Sequence, residues 1–180
     1  MVRAAKAKRR LRVDSPVFKI GLPPIARVDA RLFILGSLPG DASLGARQYY
    51  AHRTNQFWRL LGGVLREPLD ELAYEARLER LARRRIGLWD VIASAERRGS
   101  LDQAIRLAEH NAIEGLLRDF PQVRAVAFNG ATAAKAGRKM IGAPPPGVQL
   151  LDLPSSSAAN TIAFAAKARA WASLAPFVAA

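Results

Sequence analysis

The chain has 180 residues, half of them hydrophobic, enough to bury roughly two-thirds of its unfolded surface in one core. Its 28 Lys and Arg against 15 Asp and Glu give a formal charge of +13, and such a field selects a polyanion, nucleic acid before an anionic membrane. With no cysteine and two histidines, His52 and His110, there is no basis for disulfides, thiolate catalysis, Cys-ligated zinc or iron–sulfur clusters, or a His-rich metal site.

Residues 1–12 carry Arg3, Lys6, Lys8, Arg9, Arg10 and Arg12 with no acid, and no apolar run follows them. They read as a basic arm rather than a secretory signal. The arm is drawn over residues 1–22, and one domain over 23–180. Residues 31–36 read RLFILG, a short apolar run closed by glycine, as expected for a buried strand leaving into a loop. Helical periodicity follows at 55–64 and 69–83, then at 101–108 and 113–120. A second strand is expected at 124–130 (RAVAFNG), a helix at 132–140, and a third strand at 149–154 (QLLDLP) after the stiff connector GAPPPG. The last helix is expected over 160–178. Lys167 and Arg169 interrupt its alanine-rich stretch, so nothing approaches the roughly 20 apolar residues that cross a bilayer, and the chain is expected to be soluble and cytoplasmic. The Arg83–Arg84–Arg85 run suits a helix C-terminus as well as it suits a phosphate.

Strands separated by helices imply crossovers and a mainly parallel sheet. Ligands of such sheets bind beyond the carboxyl ends of the strands. Here the loops leaving those ends are GSLPG, FNG and LPSSS, built of small residues that let a phosphate or base approach the backbone closely. Gly, Pro and Ser are also ordinary turn residues; their coincidence at three equivalent strand ends is what points to a single site.

Residues 36–58, GSLPGDASLGARQYYAHRTNQFW, resemble the first active-site motif of the uracil-DNA glycosylase superfamily, and most nearly its hypoxanthine-DNA glycosylase branch, also called DNA-deoxyinosine glycosylase. The similarity takes in GLPPIARVDARLFIL upstream, GLWDVIASAERRGSLDQAIR at 87–106 and LPSSSAAN at 153–160. The resemblance implies a single α/β domain with a central, mainly parallel sheet flanked by helices. It also implies action without metal or cofactor on a base rotated out of DNA. Tyr50 falls where the superfamily stacks an aromatic ring on that base, with Tyr49 beside it shaping the pocket. In the mismatch-specific uracil glycosylases the first loop reads Gly-Ile-Asn-Pro-Gly, and its Asn positions water; here Leu38 stands at that place. Leu153 stands where many relatives open the second motif with His or Asn. The hypoxanthine branch uses an Asn further along the first motif, and Asn55 occupies that position, able to orient water or the base edge or to cap the helix that follows.

The base site is therefore assigned to Gly36, Ser37, Leu38, Tyr50 and Asn129, with Asn55 and His52 as the catalytic residues. DNA contacts are assigned to Pro39, Gly40, Ser155, Ser156, Ser157 and Asn160, with Ala158 and Ala159 near the gap in the stack. Phe57 and Trp58 read as core, and Asp90 as a buried acceptor fixing loops, with catalysis as its less favoured alternative. Neither motif holds a Lys, so no amine is placed to attack the sugar; Lys135 and Lys139 suit surface or phosphate contacts. The expected activity is a monofunctional, monomeric DNA N-glycosylase in base-excision repair that releases hypoxanthine, uracil or both, with xanthine a further candidate, and leaves an abasic site. The competing reading is a non-catalytic basic nucleic-acid-binding module. A nucleotide-binding enzyme is disfavoured, because neither GxxxxGK[ST] nor GxGxxG is present.

Overall fold

The computed structural model of the chain describes residues 17–178. In chain order its elements are β1 (Phe18–Ile20), β2 (Leu32–Gly36), α1 (Asp41–Ala46), α2 (Phe57–Leu65), α3 (Tyr74–Arg83), β3 (Ile86–Asp90), β4 (Ile92–Arg97), β5 (Ile105–His110), α4 (Leu116–Asp119), β6 (Ala125–Asn129), α5 (Ala131–Ile141), β7 (Gln149–Leu153) and α6 (Phe164–Trp171), with short 3-10 turns between several of them. The central sheet has the order β3-β2-β6-β7, and all three of its pairings are parallel. β2 and β6 are buried at every position, which is why their sequences are continuous apolar runs rather than alternating ones.

Successive side chains of β2 enter two separate cores. Leu32 and Ile34 pack with Phe57, Leu61 and Trp171 on the face covered by α2 and α6. Phe33 and Leu35 pack with Val126, Phe128 and Ala133 on the face covered by α5. The α/β architecture with a parallel sheet between helices is thus the expected one. Its register places Gly36 opposite Asp90 and Asn129 opposite Leu153, so the strands end together at one rim.

A second sheet, antiparallel and ordered β1-β4-β5, was not foreseen. The helix expected at 101–108 is instead a 3-10 turn, Asp102–Ala104, running into β5. Its apolar spacing fits either state, and pairing with β4 decides the outcome, a tertiary contact overriding a local pattern. The register shifts along this pair, and Leu107 takes a φ of 47°. The expected helix at 69–83 divides into a 3-10 turn, Leu69–Glu71, and α3. The one at 113–120 divides into a 3-10 turn, Ile113–Gly115, and the short α4. The last helix begins only at Phe164 and ends as a 3-10 turn, Ala172–Phe177. The segment drawn as the arm, 1–22, reaches this second sheet, because Phe18–Ile20 pairs with Ser94–Glu96. The arm's six cations at 3–12 lie outside the described residues.

Candidate active site

The carboxyl ends of the central strands open into a cleft of about 1040 Å³, and all three small-residue loops line it. Every residue assigned from the sequence to catalysis, base or DNA borders this cleft: Gly36 to Gly40, Tyr50, His52, Asn55, Asn129, Ser155 to Ser157 and Asn160. Their side chains are not equally available.

In the first loop Leu38 is 5% exposed and Pro39 is also buried. Beneath them Arg97 of β4, 1% exposed, donates from Nη1 to the Leu38 carbonyl at 3.0 Å and from Nη2 to the Pro39 carbonyl. Burial lowers the Arg97 pKa, and Asp102, Asp41 and Asp90 oppose that shift. Both carbonyls are thus engaged inside the protein, and both side chains are buried while the residues still border the cleft. Ser37 donates to Asp102 at 2.7 Å, and the Asp41 N–H is taken by Ser100 Oγ at 2.9 Å. Lys19 of β1 bridges Asp41 and the Gly99 carbonyl.

The segment 47–56 carries the aromatic and the carboxamide. Tyr50 has a φ of 55°, a left-handed conformation that non-glycine residues adopt mainly where the surroundings compel it. Its ring lies flat on Phe57, with centroids 3.6 Å apart and planes at 8°. Tyr49 is buried and donates to the Pro23 carbonyl at 3.1 Å. Asn55 Oδ1 accepts the Phe57 N–H at 3.0 Å, an Asx-type bond over the start of α2. Its Nδ2 is not used by that bond and belongs to a residue that borders the cleft. His52 is exposed; its Nδ1 lies 2.9 Å from Thr54 Oγ1 and accepts the Thr54 N–H. Phe57 and Trp58 are core, as expected.

In the third loop Ser156 is 1% exposed; its Oγ accepts from Asn129 Nδ2 and its N–H donates to Asn129 Oδ1. As placed, Ser156 serves the loop rather than a phosphate outside it, and Asn129 is largely spent on the same clasp. The chain leaves β6 through Gly130 at a φ of 103°, where a Cβ would also lie 3.0 Å from that of Ser155. Ser155 Oγ accepts the Ser157 N–H, and Ser157 Oγ the Ala159 N–H, each at 3.2 Å. The Gln56 N–H donates to the Ser156 carbonyl at 2.9 Å, joining the two motifs directly.

Two groups left out of the site assigned from the sequence complete it. Lys167 of α6 is fully buried and donates to Gln56 Oε1 at 3.0 Å, the Asn160 carbonyl at 2.9 Å and the Ser157 carbonyl at 3.2 Å. Burial lowers its pKa. Arg97 and Lys167 thus play matching parts, each a buried cation holding the carbonyls of one loop. Asp90 is buried, as expected of it. The 2.8 Å bond to Asn111 Nδ2 is made by its backbone carbonyl, whereas Oδ2 is buried without a partner. Burial, then Asp102, push the Asp90 pKa up to about 7, opposed by Arg97 and the Tyr49 hydroxyl.

Among the described residues no cluster of His, Asp and Glu could hold a metal, and no helix is long and apolar enough to cross a membrane. The family model of the uracil DNA glycosylase superfamily matches residues 23–175. Two relatives are named hypoxanthine DNA glycosylase. The one from Methanosarcina acetivorans is 40% identical over 144 residues, 80% of this chain and 89% of its own. The one from Methanosarcina barkeri is 40% identical over 154 residues, 86% and 96% of the two chains. The solution NMR structure of a candidate uracil DNA glycosylase from Methanosarcina acetivorans superposes with a TM-score of 0.78 at 37% identity, over 88% of this chain and 96% of that one.

Proposed function

This chain belongs to the uracil DNA glycosylase superfamily, and on that premise we propose that it excises hypoxanthine from DNA, accepting uracil and xanthine in the same cleft. The base follows from the names of the two Methanosarcina relatives and from a cleft of about 1040 Å³, ample for a purine. The observation that carries the reading is the meeting of Tyr50, Asn55 and the 155–157 loop in that one cleft.

An everted nucleotide needs a backbone clamp, a stacking face and polar groups for its edge. The Gly40 and 155–160 loops supply the clamp, with Ala158 and Ala159 exposed beside it. Tyr50, braced by Phe57, supplies the face. Asn55 orients the water or the leaving base through a carboxamide whose rotation is limited by the Phe57 N–H. His52, exposed and pinned by Thr54, contacts a flanking phosphate. Lys167 is the lysine beneath the second motif, its amine is engaged in three bonds, and among the described residues no lysine borders the cleft. The reaction is therefore hydrolysis that ends at an abasic site. The proposal extends to action as a cytoplasmic monomer, with the cations of residues 3–12 adding affinity for the DNA backbone.

The test is incubation with end-labelled duplexes bearing one hypoxanthine, uracil or xanthine, followed by alkali. Alkali-dependent breaks at the modified position, fastest with hypoxanthine, are expected. Breaks before alkali would mean lyase chemistry, and intact strands with all three bases would leave a binding module.

A further inference from the structure

Asp90 ends β3 opposite Gly36, the last residue of β2. Gly36 has no side chain, and Asp90 fills the space: a Cβ built there would lie 2.4 Å from Asp90 Oδ1 and 3.2 Å from the Tyr50 hydroxyl. The carboxyl group therefore sits at the floor of the cleft beside that hydroxyl. It is 3% exposed and still borders the cleft. Neither Asp90 Oδ2 nor the Tyr50 hydroxyl has a hydrogen-bond partner.

A carboxylate kept for structure is normally surrounded by donors, because an unpaired buried charge is costly. Around Asp90 the donors are engaged elsewhere or, like Arg97 Nε and the Tyr50 hydroxyl, make no bond to it. Arg97 on β4 gives its terminal nitrogens to Leu38 and Pro39. Asn111 reaches only the backbone carbonyl, and the Asn129 carboxamide is held by Ser156. Asp102, in the 3-10 turn before β5, adds a second negative charge, while Tyr49 and Tyr50 are kept neutral by burial. Such surroundings favour the protonated acid and leave it open toward the cleft.

We propose that Asp90 is a base-reading catalytic residue whose protonated carboxyl group donates to the ring carbonyl of the everted base and accepts the neighbouring ring N–H. Deaminated bases present that lactam edge, C6=O with N1–H in hypoxanthine and C4=O with N3–H in uracil, and a carboxylic acid complements it with two parallel hydrogen bonds. The inference rests on the glycosylase reading and adds a named group to it. When the C1′–N9 bond breaks, its electron pair passes into the purine and part of the charge reaches O6. A donor at O6 then strengthens, whereas a carboxylate there would repel the leaving base. Water adds to C1′, the proton it loses neutralises a ring nitrogen of the purine, and Asp90 keeps its own proton throughout.

The experiment compares single-turnover hypoxanthine release by wild type, Asp90→Asn and Asp90→Leu between pH 5 and pH 9, each variant checked for folding by circular dichroism. Wild-type release should fall as pH rises through about 7. Asp90→Asn keeps a donor and an acceptor without titrating, so it should stay within about tenfold of wild type at pH 6 and lack that fall. A folded Asp90→Leu should lose roughly 100-fold or more. The assignment is overturned if Asp90→Asn is as inactive as Asp90→Leu, which would make the charged carboxylate the working form, or if Asp90→Asn keeps the wild-type alkaline fall, or if Asp90→Leu is fully active. A wild type inactive on every base would instead remove the glycosylase reading itself, and active wild type with any of those outcomes removes only Asp90.

Discussion

Asn129 and Ser156 clasp each other twice: Asn129 Nδ2 donates to Ser156 Oγ at 2.9 Å, and Asn129 Oδ1 accepts the Ser156 N–H at 2.8 Å. Both residues are buried, so the clasp ties the end of β6 to the serine loop out of reach of water. Asn129→Ala leaves a buried N–H and hydroxyl unpaired, a loss on the order of 1–3 kcal/mol for each such group. Thermal unfolding should show the lower midpoint, and base release should slow as the loop loosens. An unchanged midpoint would mean that the loop stands without the clasp.

Lys167 holds the same loop from the opposite side. Methionine in its place keeps the apolar stem and relieves the cost of a buried charge, yet it leaves Gln56 Oε1 and the Ser157 and Asn160 carbonyls without their donor. The unpaired acceptors outweigh the relief, and Lys167→Met should be less stable by about 1–3 kcal/mol. Affinity for an abasic duplex, measured by anisotropy, should fall with it. Equal stability and equal affinity would show that the lysine only fills space.

The parallel sheet and the location of the site were legible in the sequence, because β2, β6 and β7 are apolar runs punctuated by Gly, Asn and Pro. β4 was not, since its inward residues include Ser94, Ala95 and Arg97, which resemble a polar segment until Arg97 meets the carbonyls of the first loop. β5 reads as helix or strand with equal ease, and only its partner decides. The assigned site residues all reach the cleft, but which of them turn inward was invisible, because the burial of Leu38 and Ser156 depends on Arg97 and Asn129 far away in the chain. Arg97 and Lys167 were hidden for a related reason: each is one of 28 basic residues, and nothing local marks it as buried.

Asn55 separates a capping role from a chemical one. Its Oδ1 takes the Phe57 N–H, a bond that Asp at this position can also make and Ala cannot. Asn55→Ala should therefore lose about 1 kcal/mol of stability, whereas Asn55→Asp should keep most of it. Both variants lack the Nδ2 donor, and both should release hypoxanthine roughly 100-fold more slowly at saturating enzyme while binding DNA nearly as well as wild type, since the loss falls in the transition state. An Asn55→Asp variant with the wild-type rate would reduce Asn55 to a cap.

Asp90 also makes stability depend on pH, in a direction opposite to that of a salt-bridged acid. Its pKa rises from 3.8 to about 7 on folding, so between those values the native state holds a proton that the unfolded chain has released. The contribution is fully present below the unfolded pKa and is lost as pH rises through the folded one. At 1.36 kcal/mol per pH unit the loss approaches about 4 kcal/mol above pH 7. Asparagine does not titrate, so the stability of Asp90→Asn relative to wild type should climb from pH 4 to about pH 7 and then level off. Urea-unfolding midpoints at several pH values would show this as two diverging curves; parallel curves would mean that Asp90 is ionised in the folded protein at every pH in that range.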